Sequence, residues 1–573
     1  MAQAISPRSS KASRWRAAVL LLVHLILGLH ILHWLVTGRS LGPLEPSEGM
    51  AFSKQGVVNV GLMLFAVAIL SCAVFGRFFC GWACHMVALQ DLALAFLKRL
   101  GIRPKPLRSR LLALVPLFGF GYMYVVPWIY RAWTGGGVGV REVEWTTEHF
   151  WDNFPGWGVG LATLAICGFV VIYFLGAKGY CTYACPYGAI LGAVDGLAPN
   201  RIRVNDDCQQ CGHCTAACTS NVQVHREVRD FGMVVDAGCM KCLDCVSVCP
   251  NGALRVGFGT PAVLAKPRVA DFKKPARPKG APSWLEEIVL VAGFLLGFFG
   301  FRGYFVVPFL FSLGIGGLVA WFALALSRLL GRRDLSMGGK PMRKEGRWTG
   351  VGMAMAFLAA LVVLSAAWGS LLRWEAHLRD KHFALTARSR AVWFQLERGE
   401  GEILIEEQSH HAASLKHALR IERWNPWANP QNQLELAWLR LMDGDEASFE
   451  AGMKEVVAAA PRQTQFRMDL AHFLIWQGRY PEARQELQQC FQYHRRKHQL
   501  WAELGLLEVL ASNLDEALRC FEQGLQALGE GHPAEEARLR TFRIQVLREQ
   551  GETERAEAEE RKIEALYQKL EKP

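Results

Sequence analysis

The chain has 573 residues, of which 51% are hydrophobic and 20% charged, with a net charge of +12. These proportions exclude a disordered chain and a small disulfide-stapled secreted domain. The apolar residues are bunched into stretches of roughly 20, the length that crosses a bilayer core, so the pattern is that of a membrane protein with soluble parts.

Seven stretches read as spanning helices: 17–36, 57–76, 111–130, 157–176, 287–304, 306–326 and 350–371. Arg8, Lys11, Arg14 and Arg16 precede the first and no small-residue cleavage site follows it, which predicts an uncleaved anchor. Two spans rather than one over 287–326 follow from length, because a single helix there would be about 60 Å long, twice the hydrocarbon thickness. Lys and Arg crowd the loops around 77–110 and 328–347. The positive-inside rule therefore predicts that both loops and the 177–286 segment are cytoplasmic and that the chain after the seventh span is periplasmic. Membrane orientation accounts for the largest basic clusters, so the charge gives no argument for nucleic acid.

Twelve of the 16 cysteines fall in four tight groups. Cys208, Cys211, Cys214 and Cys218, then Cys239, Cys242, Cys245 and Cys249 followed by Pro250, each form C-x₂-C-x₂-C-x₃-C, the spacing that holds two [4Fe–4S] cubes. Three thiolates reach one cube from a single turn and the fourth comes from elsewhere. In the usual swapped arrangement Cys249 completes the cluster of Cys208, Cys211 and Cys214, and Cys218 completes that of Cys239, Cys242 and Cys245. So short a segment has little core of its own, and the clusters would supply much of its folding energy. Gly212, Gly238 and Gly252 suit backbone turning closely round inorganic sulfur. Structural zinc is the competing reading, but zinc takes ligands in pairs rather than in two runs of four. Thr219 stands where the second run has Pro250.

A second device occurs twice. Gly76-Arg77-Phe78-Phe79-Cys80-Gly81-Trp82-Ala83-Cys84-His85 follows the second stretch, with Asp91 beyond it, and Lys178-Gly179-Tyr180-Cys181-Thr182-Tyr183-Ala184-Cys185-Pro186 follows the fourth, with Asp195 beyond. The two passages read as a duplication. Three readings fit Cys80, Cys84, Cys181 and Cys185: ligands of a third iron–sulfur or other metal centre, dithiols that cycle, or cysteines packed at helix ends.

The two ferredoxin runs and the paired C-x₃-C motifs resemble the membrane-bound polyferredoxin family over about residues 55–330. That family includes the quinol-oxidising subunit of periplasmic nitrate reduction, the nitrous oxide reductase maturation regulator and a cytochrome oxidase accessory protein. The resemblance implies electron transfer at a bacterial inner membrane. It leaves open whether the chain is a quinol dehydrogenase or metal-reducing subunit of a larger complex. In that family a proline normally follows each C-x₃-C pair, so His85 is a departure.

His24, His30 and His33 lie in the first stretch, with His30 and His33 on one face. A quinol proton acceptor, a haem ligand and a packed histidine are the readings weighed; no opposing histidine pair supports haem. The loop holding Arg141, Glu142, Glu144, Trp145, Glu148, His149, Trp151 and Asp152 suits either a quinol pocket or an ordinary interface. Cys72 and Cys167 read as small core residues, and Cys490 and Cys520 as structural or free. Gly135-Gly136-Gly137 lacks the strand–turn–helix context of a dinucleotide site, so neither flavin nor nicotinamide is expected, and the missing histidine pair leaves no expectation of haem.

From 430 onward, Gly444, Gly478, Ser512 and Gly551 open similar turns at intervals of 34, 34 and 39, a tetratricopeptide-like period. Leu470, Phe473, Leu474, Leu504, Leu507 and Leu510 supply the apolar faces, and 375–430, with Trp393, Trp424 and Trp427, reads as an atypical beginning. His410 and His411 are adjacent and so do not share a helix face.

The predicted fold is a polytopic α-helical membrane protein with an inserted bacterial-type 2[4Fe–4S] ferredoxin domain and a C-terminal α-helical repeat domain. Its parts are a membrane domain at 1–199, the ferredoxin domain at 200–260, a basic Pro-rich linker at 261–286, further spans at 287–371 and a soluble tail at 372–573. Two functions compete: a relay between a quinol or cytoplasmic donor and a partner redox protein, or a maturation scaffold whose tail holds a respiratory metalloenzyme client.

Overall fold

The computed structural model describes residues 10–570 apart from 39, 43–44, 103, 105–106, 108, 136, 148–156, 269–280, 306, 333, 338, 387–404, 426–428, 495 and 529–532. The chain divides into two compact units, Met1–Ser370 and Leu371–Pro573.

Six described helices are long and apolar enough to cross a membrane: Lys11–Thr37, Leu112–Trp133, Gly158–Leu175, Trp284–Arg302 and Phe309–Gly331 in the first unit, and Gly350–Leu385, which begins in the first unit and ends in the second. The second expected span is shorter, a 16-residue helix Val60–Phe75. Its lost turn goes to Val57–Asn59, which pairs in parallel with Glu142–Glu144, while the Asn59 side chain caps the helix by accepting from Leu62 N at 2.9 Å. The 287–326 stretch is two helices. They approach through glycine: a Cβ on Gly293 would lie 2.9 Å from that of Ala323, and one on Gly297 2.7 Å from Val319. In lipid, close packing of this kind replaces the hydrophobic drive that water would supply. The third and fourth spans carry π turns at Gly121–Val125 and Leu164–Val170.

Between the fourth and fifth spans, Arg201–Val204 pairs antiparallel with Leu254–Gly257. These strands close a small domain whose core is Ile202, Val224, Val228, Val234 and Leu254 together with Cys239 and Cys245. A core that small needs something more than apolar burial to hold it.

The second unit is a run of helix pairs: Pro430–Met442 with Glu446–Ala459, Thr464–Trp476 with Tyr480–Cys490, Lys497–Leu510 with Leu514–Leu528, and Pro533–Glu549 with Thr553–Leu570. The four turn residues Gly444, Gly478, Ser512 and Gly551 all adopt left-handed φ, at 81°, 74°, 61° and 78°. Ala483, Ala517 and Ala556 are buried where the second helix of a pair meets the first. Leu470, Phe473, Leu474, Leu504 and Leu507 are core, but Leu510 is exposed at the end of its helix. Cys490 and Cys520 are free and buried. Ile405–Trp424 precedes the first pair; Trp393 and Trp427 lie outside the described residues.

Candidate metal centres

The two ferredoxin runs share one backbone. Counting from the first cysteine of each, positions two, four and thirteen residues on are left-handed in both: Gln210, Gly212 and Asn221 in one, Lys241, Leu243 and Gly252 in the other. Gly238 is not among them. Four of the six are not glycine, and each such residue costs about 1–2 kcal/mol. Strain repeated at matching positions means that something at the centre of each loop repays it.

The thiols fall into two groups. Cys208, Cys211, Cys214 and Cys249 line one cavity, together with Pro250. Around Cys245, burial first, then Cys239, Cys242 and Cys218, and finally Cys214, push the thiol pKa up. Burial likewise holds Cys218 and Cys242 at about 12. The last cysteine of each run thus faces the first three of the other. Bare thiols in this setting stay protonated, whereas a cationic iron–sulfur core would hold them as thiolates. Among the described residues no three such side chains stand close enough for a single ion; a cube spaces its thiolates more widely. Cys211 is exposed, whereas Cys239, Cys242 and Cys245 are buried, so the first group faces solvent and the second lies deeper.

The four membrane-edge thiols also converge. Cys80, Cys84 and Cys181 share one apolar cluster with Met240 and Leu191. Burial, then Cys181 and Cys80, raise Cys84 to about 12. Burial, then Cys181, Cys84 and Cys80, raise Cys185 well above the usual thiol range. Gln90 Nε2 donates to Cys181 Sγ at 2.9 Å, and the buried Arg77 guanidinium lies among Cys80, Cys181 and Cys185. Each pair has a cation three residues before its first cysteine, and the carboxylates cross over. Lys178 ion-pairs with Asp91 of the first copy, and Arg77 N donates to Asp195 Oδ1 of the second at 3.0 Å. The duplication read in the sequence is thus locked by reciprocal contacts.

Asp195 fastens this edge to the ferredoxin domain. It is fully buried and meets Arg201 Nη2 at 2.9 Å and Lys241 Nζ at 2.9 Å. Lys241 lies between Cys239 and Cys242. Trp82 Nε1 donates to Lys241 O at 3.0 Å and Arg77 Nη1 to Ala237 O at 2.8 Å. A Cβ on Gly81 would stand 2.2 Å from Met240 O, so the two backbones touch. The N-terminal helix adds a clamp: Arg16 bridges Asp91 at 3.0 Å and Asp244 at 3.4 Å, and Ser10 Oγ donates to Asp244 Oδ1 at 2.9 Å. In the sequence Arg16 reads only as part of the basic start of an uncleaved anchor. The small residue at Gly81 was the one local clue to the docking.

The remaining expectations divide. His24 Nδ1 bonds Leu20 O at 2.8 Å, and His30 Nε2 meets Ser40 Oγ at 3.1 Å. Cys72 donates to Leu191 O at 3.2 Å, and Cys167 packs against Gly314. Glu148, His149, Trp151 and Asp152 lie outside the described residues. His410 faces His382 at 3.0 Å while His411 faces Asp443 at 2.7 Å, which is the divergence expected of neighbours on a helix.

Comparison with known proteins agrees with this geometry. A family model described as a 4Fe-4S binding domain matches residues 59–103 and 158–205, each match holding one C-x₃-C pair. A 4Fe-4S dicluster domain model matches 207–254. YccM of Escherichia coli, named as an electron transport protein, is 27% identical over 263 residues, 43% of this chain and 66% of its own. The ferredoxin-type protein NapH of Haemophilus influenzae is 27% identical over 221 residues, 36% of this chain and 71% of its own. The methylamine utilization ferredoxin-type protein MauN of Methylorubrum extorquens is 26% identical over 199 residues, 32% of this chain and 66% of its own. The chain thus spans about two thirds of the length of these relatives. Among solved structures, MamA aligns at 14% identity and a TM-score of 0.25 over 30% of this chain and 100% of its own. A thermophilic TPR protein of Thermus thermophilus aligns at 19% and 0.22 over 32% and 89%. The tail's repeat architecture rests on its own helix pairs and their left-handed turns. Over the stretch that carries the twelve grouped cysteines, the chain is similar to these ferredoxin-type membrane proteins and matches 4Fe-4S binding domains, and a tail of tetratricopeptide-like helix pairs follows.

Proposed function

We propose that the chain is a membrane electron relay with three iron–sulfur centres in a row. Cys80, Cys84, Cys181 and Cys185 hold the first. Cys239, Cys242, Cys245 and Cys218 hold the second, and Cys208, Cys211, Cys214 and Cys249 the outermost. The clusters supply one-electron chemistry; the chain supplies their spacing, burial and charge. The observation that carries this reading is the contact of Gly81 with Met240, which sets the first cysteine pair against the loop of the second group. The exposed Cys211 edge is then the port for a soluble or membrane-bound redox partner, and a membrane quinol is the donor at the other end.

The basic loops support a cytoplasmic ferredoxin domain, and the six long apolar helices counted together with the shorter Val60–Phe75 support a tail on the periplasmic face. There the helix pairs would hold a redox partner or an assembly client. A Cys80→Ser/Cys84→Ser double variant tests the row. Anaerobic iron and sulfide analysis with electron paramagnetic resonance is expected to show about a third of the iron lost and two clusters kept. Equal iron in variant and wild type would overturn the membrane-edge centre.

A further inference from the structure

The helix Val60–Phe75 buries one side against its neighbours and leaves Val67, Leu70 and Val74 exposed. Positions 67, 70 and 74 share a helix face, so a stripe of apolar side chains runs down the outside of this span to Phe75 at its end. The stripe does not stop with the helix. The Phe75 ring meets that of Phe258 edge-on, with centroids 6.3 Å apart, and Phe258 directly follows the ferredoxin-domain strand Leu254–Gly257.

Around that ring the domain exposes further large apolar side chains. Phe258, Val263 and Leu264 are 64%, 64% and 65% exposed, and Leu197 59%. Three backbone hydrogen bonds set these residues side by side at the end of the span. Asn200 N donates to Val74 O at 3.4 Å, Gly259 N to Pro199 O at 3.1 Å and Val263 N to Gly196 O at 3.1 Å. The short turn Ala262–Leu264 carries two of the four side chains. Just beyond Phe75, the exposed Phe78 stacks on Trp82 at 5.2 Å, an aromatic pair at the level where interfacial belts form. Apolar residues scattered singly over a surface need no explanation, but a contiguous patch marks a binding face.

We propose that this patch is immersed in the boundary between lipid head groups and acyl chains, so that the ferredoxin domain is partly inserted in the membrane at the Phe75 end of the second span. The occupant is lipid because the stripe leading to the patch faces the hydrocarbon, and the edge-on contact of Phe75 with Phe258 leaves no room for a layer of water between them. Apolar faces that lie in a membrane surface reach about 5–10 Å into this boundary. A second copy of the chain, or a partner protein, would have to displace lipid to reach the same side chains. The domain is then held twice over, by Asp195 and Gly81 at the cysteine pairs and by lipid at Phe258, which fixes the height of its two cysteine runs against the bilayer. The inference depends on the second helix crossing the membrane and not on what the cysteines bind.

The test uses the full-length protein with its clusters, in phosphatidylcholine nanodiscs containing a lipid with a photoactivatable diazirine high in its acyl chain. After anaerobic illumination, peptide mass spectrometry reads where lipid is attached. Attachment at Phe258–Leu264 is expected to match that at Val67–Phe75 and to exceed that at Leu510, an exposed leucine of the tail, by about tenfold or more, the partition of one large apolar side chain. A Phe258→Ser/Leu264→Ser variant is expected to lose its attachment there about tenfold, with attachment at Val67–Phe75 and iron per chain unchanged; the wild-type comparison decides even where the variant loses iron. Attachment at Phe258–Leu264 no greater than at Leu510, equal attachment in wild type and variant, or cross-links to a second copy of the chain in place of lipid would each overturn the lipid patch. Attachment at neither Phe258–Leu264 nor Val67–Phe75 would overturn the span on which it rests.

Discussion

A methyl group at Gly81 would stand 2.2 Å from a backbone oxygen, and a backbone carbonyl cannot swing aside as a side chain can. Gly81→Ala is therefore expected to push the Met240 loop off the membrane edge, at about 1–3 kcal/mol. Iron content would be kept, but spin coupling between the two inner centres would weaken; unchanged coupling would contradict the docking. Glu227 acts by charge. Its carboxylate accepts from Val235 N at 2.9 Å and Asp236 N at 3.1 Å, and burial, reinforced by Asp236, raises its pKa to about 7. A carboxyl raised in the fold favours the protonated state. Its contribution is whole below the unfolded value near 4.5 and is lost as pH rises through about 7. Cluster loss on mild heating is expected to quicken over that window, and Glu227→Gln to flatten the dependence; an equally steep profile in the variant would contradict the assignment.

Among elements, the repeat turns show how a pattern in sequence becomes a backbone state. Gly444, Gly478 and Gly551 take left-handed φ without a Cβ penalty, but Ser512 takes φ 61° with one. Ser512→Gly is expected to stabilise the tail by roughly 0.5–1 kcal/mol, read as a rise in the tail's melting temperature; a fall would mean that the serine side chain contributes more than its backbone costs. These turns were legible because their spacing repeats. The break between Trp284–Arg302 and Phe309–Gly331 was legible from length alone. The shortening of the second span was not, since Val57–Asn59 looks like more apolar helix until Glu142–Glu144 pairs with it. Nor did Pro46–Gln55 announce that it folds back, because its partners Tyr124 and Arg131 lie some 80 residues on and no local periodicity encodes such a contact.

On the scale of the molecule, twelve cysteines could be found by spacing, but the ties that arrange them could not. Asp195, noted in sequence only for following the second pair, proves to be fully buried and to join Arg77, Arg201 and Lys241. Removing its charge would leave two buried cations short of a partner, at about 3–5 kcal/mol. Asp195→Asn is accordingly expected to release the ferredoxin domain to proteolysis while the apolar helices stay in the membrane fraction; equal protease resistance would contradict that role. Whether these thiols hold iron in three places is read from anaerobic iron and acid-labile sulfide per wild-type chain. About twelve of each are expected, three cubes of four. Folded protein carrying only zinc, or no metal, would contradict it.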